Sequence, residues 1–101
     1  MAKLIVQPRA EADIEEALAW YHQRDPAVGE RFLLELDVIF GRLSDNPLQF
    51  PIVQDPVRRA LVHKFPYSVY FVLAGDLAGV VAVLHQRRRP IDWKHRSGGA
   101  R

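Results

Sequence analysis

The chain has no cysteine. Disulfides, Cys-ligated zinc and thiol catalysis are therefore excluded, and nothing in the composition asks for an oxidising compartment. It has no long hydrophobic run either. A run such as Gly79–Leu84 is far too short to cross a bilayer, so no membrane partner is expected. Met1-Ala2-Lys3 is followed by only three apolar residues before Gln7-Pro8-Arg9. That does not fit a secretory leader, and the expectation is a cytoplasmic protein. Acidic residues are scarce in the second half. Residues 1–50 hold five Lys/Arg and nine Asp/Glu, net −4, whereas residues 51–101 hold nine and three, net +6. Such asymmetry points to an anionic partner, nucleic acid or acidic protein, with a merely solubilising tail as the equal alternative.

What is present suits one folded domain of 101 residues, nearly half apolar and about a quarter charged. The expected domain covers residues 1–96, with residues 97–101 a flexible tail. Lys3–Val6 reads as a short first strand, stopped by Pro8. From Ala10 to Arg24 the pattern turns helical. Ala10, Ile14, Ala17, Leu18 and Tyr21 form one stripe of a 3.6-residue period. Glu11, Asp13, Glu15 and Glu16 gather near its start, where carboxylates match the helix dipole. They read as a solvated face rather than as acid/base or metal chemistry.

Asp25-Pro26 restarts a helix, with Asp as N-cap and Pro at the first helical position. This second helix should run to about Leu43 on a stripe of Phe32, Leu36, Ile39, Phe40 and Leu43. So short a connection makes the two an antiparallel hairpin. Residues 47–56 hold three prolines and read as an extended loop pinned by Phe50 and Ile52. Three strands follow, Val57–Lys64, Tyr67–Leu73 and Gly79–Arg87, broken by Phe65-Pro66 and a Gly75-Asp76 turn. Short connections make them an antiparallel meander. The expected fold is α+β: an N-terminal strand, then a helix hairpin packed on a mainly antiparallel four-stranded sheet, in the order β-α-α-β-β-β. Apolar residues on both faces of the last two strands call for cover on both sides. The hairpin can supply one side; the chain's own ends or a partner must supply the other.

Pro8-Arg9-Ala10-Glu11-Ala12-Asp13-Ile14, Asn46-Pro47, Arg59 with Phe65-Pro66-Tyr67-Ser68-Val69-Tyr70, and Val83-Leu84-His85-Gln86-Arg87-Arg88 follow one another in a fairly specific order and spacing. Across about residues 3–90 the chain resembles the RelE/ParE toxin superfamily of type II toxin–antitoxin systems, closer to the ParE-like branch. The resemblance implies a growth-inhibiting toxin of the kind that stabilises plasmids. It would be silenced in a hetero-oligomer by a cognate antitoxin whose extended or helical segment lies across its surface. ParE-like members inhibit DNA gyrase by binding it; RelE-like members cut messenger RNA on the ribosome.

Metal-free RNA cleavage needs a base, an acid and cations beside the phosphorane. His85 and Arg87, two apart on a strand, are the candidate catalytic pair for that reading. Arg59, Lys64, Arg87 and Arg88 are candidates for binding a target or phosphate, with His63 and Arg58 as weaker ones. Neither a metal nor a cofactor is called for, and no antitoxin-binding residues can be named. Tyr67 stands where the RNA-cleaving branch usually carries a basic residue, and that branch's C-terminal catalytic His or Tyr is unmatched. The expectation is therefore a target-binding toxin. RNA cleavage is the alternative, followed by a degenerate toxin or a non-specific nucleic-acid binder held by clustered arginines.

Overall fold

A computed structural model describes residues 2–87 of the chain. β1 (Lys3–Val6) leads through Gln7 into α1 (Pro8–Arg24), whose proline at the helix start needs no N–H partner. Asp25 then serves two helices at once. Its N–H donates to the Tyr21 carbonyl and closes α1, and its carboxylate accepts the Ala27 N–H at 3.0 Å to cap α2 (Pro26–Asp45). One residue thus joins the helices, so the expected hairpin forms with no loop to spare.

The sheet has five strands in the order β1-β5-β4-β3-β2, one more than the sequence pattern suggested. The additional strand is β2 (Ile52–Gln54), inside the stretch expected to be a loop. It lies at the sheet edge and pairs only with β3 (Val57–Leu61). On an edge, flanking prolines deprive no neighbour of a hydrogen bond, so Pro51 and Pro56 are compatible with a strand there. β3, β4 (Tyr67–Ala74) and β5 (Leu77–His85) form the expected antiparallel meander, and β1 joins β5 in parallel. The meander strands differ at their ends from the sequence reading. β3 stops at Leu61, because the chain turns through Lys64 at φ 66°, and β5 starts at Leu77, directly after the Gly75-Asp76 turn. Gly75 takes φ +61° there, which suits glycine at the first central position of a two-residue hairpin.

Both helices pack on one face of the sheet. Phe32, Leu36, Ile39 and Leu43 of α2 and Ala10 and Ala17 of α1 meet Ala60, Val69, Phe71, Val80 and Val83. Tyr21, Phe32, Phe65 and Tyr67 form an aromatic cluster within it, with ring centroids 5.1–6.1 Å apart. The opposite face carries a second cluster of Val57, Tyr70, Val81, Ala82 and Leu84. Each of these five is at most 5% exposed within the chain itself. That face is therefore not the open apolar surface that strand composition alone allowed.

β5 reaches both clusters because it is bulged. Tyr70 pairs with Ala82 but Phe71 pairs with Val80, so Val81 is an extra residue. The bulge reverses the alternation. Ala78 and Val80 before it face the helices, and so do Val83 and His85 after it. Among the described residues no helix is long and apolar enough to cross a membrane.

Candidate functional site

His85 is the last residue of β5 and sits opposite Tyr67, the first of β4, their rings 5.3 Å apart edge to face. Its Nδ1 accepts the Arg87 main-chain N–H at 3.1 Å. With Nδ1 accepting, the ring proton lies on Nε2. The two residues are thus joined, but through the Arg87 backbone. The Arg87 side chain itself is exposed in the turn after β5.

Because the bulge turns His85 toward the helices, it lines a cavity of about 460 Å³ between α1 and the end of β5. Asp13, Glu16 and Trp20 form the helix wall; Tyr67 and Val83 form the strand wall. Residues 13, 16, 17, 20 and 21 recur at helical spacing, so one face of α1 supplies that wall. Asp13 is held there by the Val83 N–H, which its Oδ2 accepts at 3.0 Å. Trp20 at the rim is 50% exposed, and the Arg24 guanidinium stacks over its ring 3.5 Å from the centroid. Burial raises the Tyr21 phenol above its ordinary pKa. Among the described residues the walls of the His85 cavity are therefore aromatic and acidic, with the Arg24 guanidinium at its rim.

The remaining candidates lie elsewhere. Lys64 occupies the β3–β4 turn and lines a hollow of about 620 Å³ with Arg42, His63 and Gln86. Gln86 is tied to that turn by its N–H, which donates to the Pro66 carbonyl at 2.8 Å. Lys64 and Arg87 thus belong to the same end of the sheet. Arg59 does not join them: it pairs with Tyr70 and by alternation points to the face away from the helices, opposite to His85. Arg58 donates to the Phe50 carbonyl at 2.7 Å and so braces the loop before β2. Arg88 lies outside the described residues.

The sequence reading missed the part of α1. The sequence pattern makes Asp13 and Glu16 a solvated helix face, yet Asp13 reaches the β5 backbone and both line the His85 cavity. The signal available was Trp20, a large aromatic three or four residues on from Glu16 and Ala17 on the same helix face.

Residues 4–90 match the family model of the ParE toxin of type II toxin–antitoxin system, parDE. No curated protein matches the chain in sequence. In structure it is similar to a chain of the chromosomal ParDE TA system from P. aeruginosa, with a TM-score of 0.74 and 18% identity. The match covers 84% of this chain and 96% of that one.

Proposed function

This chain belongs to the ParE toxin family of type II toxin–antitoxin systems. On that premise we propose that it arrests growth by binding an essential target, DNA gyrase in the leading reading, and that a cognate antitoxin neutralises it in the cytoplasm. One observation carries the choice of binding over RNA cleavage. His85, the candidate acid/base joined to Arg87, shares its cavity with Asp13 and Glu16. A phosphorane needs cations at close range, and two carboxylates in the same cavity oppose an incoming phosphate. The exposed Arg87 side chain and Lys64 at the turn end of the sheet are left to meet an acidic surface of the target.

Purified protein added to a gyrase supercoiling reaction tests this. Loss of supercoiling, with total RNA intact after expression in cells, is the expected result. Unaffected supercoiling together with cleavage of translated messages, abolished by His85→Ala, would replace it with the RNA-cutting reading.

A further inference from the structure

Both faces of the sheet are covered, but among the described residues only one has a covering layer. The two helices lie against Val69, Phe71, Val80 and Val83. On the other side the cluster of Val57, Tyr70, Val81, Ala82 and Leu84 draws on strands alone. An antiparallel sheet with helices on one side ordinarily shows its other side to water. Here Tyr70 is 5% exposed, Leu84 3% and Val57 1%. That burial arises within a single chain, so the cover belongs to the same chain and not to a second copy.

The cover is a band rather than a full layer. Leu61, opposite Ser68, shares the outer face and is 54% exposed; Ile5 of β1 shares it and is 48% exposed. Ser68 itself, opposite Leu84, is buried. The buried residues therefore run diagonally, from Leu84 and Ser68 at the end where the chain leaves β5, through Tyr70, to Val57. Met1 is at the wrong end to supply this. Ala2 is held beside α2 by its N–H to the Ser44 carbonyl at 2.7 Å, and Lys3 donates to the Asp76 carbonyl at the far end of β5. Residues 88–101, outside the described residues, begin at the Leu84 end. Their large apolar side chains are Ile91 and Trp93, two apart, as one side of an extended segment requires. The diagonal is four residues along β4, about 13 Å, and two strand spacings across, about 10 Å. An extended chain from Arg87 to Trp93 spans about 20 Å and covers it.

We propose that Ile91 and Trp93 seal the outer face of the sheet, on a strap that runs from the end of β5 back across Tyr70 toward Val57. Ile91 sits nearer Leu84, and Trp93 sits over Tyr70. The family match ends at residue 90, so the two sealing residues lie beyond the matched region. The strap also makes Arg87, Arg88 and Arg89 a loop held at both ends, by β5 before it and by Ile91 after it. A basic run held in this way loses less conformational freedom on meeting an acidic surface than a free end would.

The test uses the full chain carrying Trp20→Phe, which leaves Trp93 as its one tryptophan. Trp20 is half exposed at the cavity rim, so the variant should keep the wild-type fold by circular dichroism. Nuclear Overhauser contacts from the Trp93 indole to the Tyr70 ring and to the Val57 and Val81 methyls are the expected result. Acrylamide should quench Trp93 several-fold less than free tryptophan. Quenching equal to that of free tryptophan, or contacts to the helices instead, would overturn the strap. Contacts seen only between labelled and unlabelled copies in a mixed sample would assign the cover to a second copy and overturn it as well. None of these outcomes depends on the toxin reading, which the supercoiling reaction tests separately.

Discussion

Asp13 of α1 accepts the Val83 main-chain N–H of β5 at 3.0 Å, across 70 positions of sequence. The bond exists because β1 is short. Its last pair is Val6 with Val80, so beyond Val80 it no longer flanks β5. The N–H groups of the following residues on that side need other acceptors, and a carboxylate from the helix lying along β5 supplies one. Asp13→Ala leaves the Val83 N–H unpaired in a partly buried seam. Such a loss costs about 1–3 kcal/mol, a large share of the stability of a small domain. Asp13→Asn keeps an acceptor and should recover most of the loss. Urea unfolding of the three proteins measures it: equal midpoints for Asp13→Ala and wild type would refute the role.

The two glycines of α2 should respond oppositely to alanine. Gly41 has nothing within 4 Å of where a Cβ would stand. Gly41→Ala should therefore gain the helix-propensity difference, about 0.5–1 kcal/mol, and raise the melting temperature by a few degrees. At Gly29 the added Cβ would meet Leu18 Cδ1 at 3.3 Å and the His22 Cα at 3.4 Å. That close approach of α2 to α1 would have to widen, so Gly29→Ala should gain nothing. Thermal melts of both variants read the contrast directly.

The helices were legible because each stripe and stop has a local cause. Pro8, Asp25-Pro26 and Asn46-Pro47 punctuate them, and Phe32, Leu36, Ile39 and Leu43 are all buried as the 3.6-residue period requires. β2 was not legible, since proline density argues for a loop unless the strand is known to sit on an edge. Nor was the direction of His85. From Ala78 to Leu84 the run is too uniformly apolar to show which residue is the extra one, and a single bulge at Val81 decides which way every later side chain points. Arg59 lies on the other sheet face from His85 for a related reason: position along a strand places residues near one sheet end, but parity sets the face.

Alkaline conditions should expose the role of Tyr21. Burial raises its pKa above the ordinary value of 10.0. The folded state then holds the phenol proton more tightly than the unfolded chain does. This contribution is fully present below the unfolded pKa and is lost as pH rises through the folded one. Stability should fall above about pH 10, and Tyr21→Phe should flatten that fall while keeping the aromatic contacts with Phe32, Phe65 and Tyr67. Denaturant midpoints at pH 8, 9.5 and 10.5 check it, the expected signature being a smaller loss in the variant than in wild type. Parallel curves would assign the alkaline loss to other groups.

Arg87 offers two separable groups, a main-chain N–H that holds His85 and an exposed guanidinium free to meet a partner. Arg87→Ala removes only the second. Arg87→Pro removes both, since proline has no N–H to donate. Nitrogen NMR of the His85 ring should show the proton on Nε2 in wild type and in Arg87→Ala, and a mixture of tautomers in Arg87→Pro. If a target is bound through positive charge, Arg87→Ala alone should weaken growth arrest, with a smaller dependence on ionic strength in the purified target assay. If His85 and its held tautomer are what matter, Arg87→Ala should be neutral and the loss should appear first with Arg87→Pro and equally with His85→Ala. The charge assignment predicts the first pattern, because the carboxylates in the His85 cavity oppose an anion there while the exposed Arg87 guanidinium beside it can meet one.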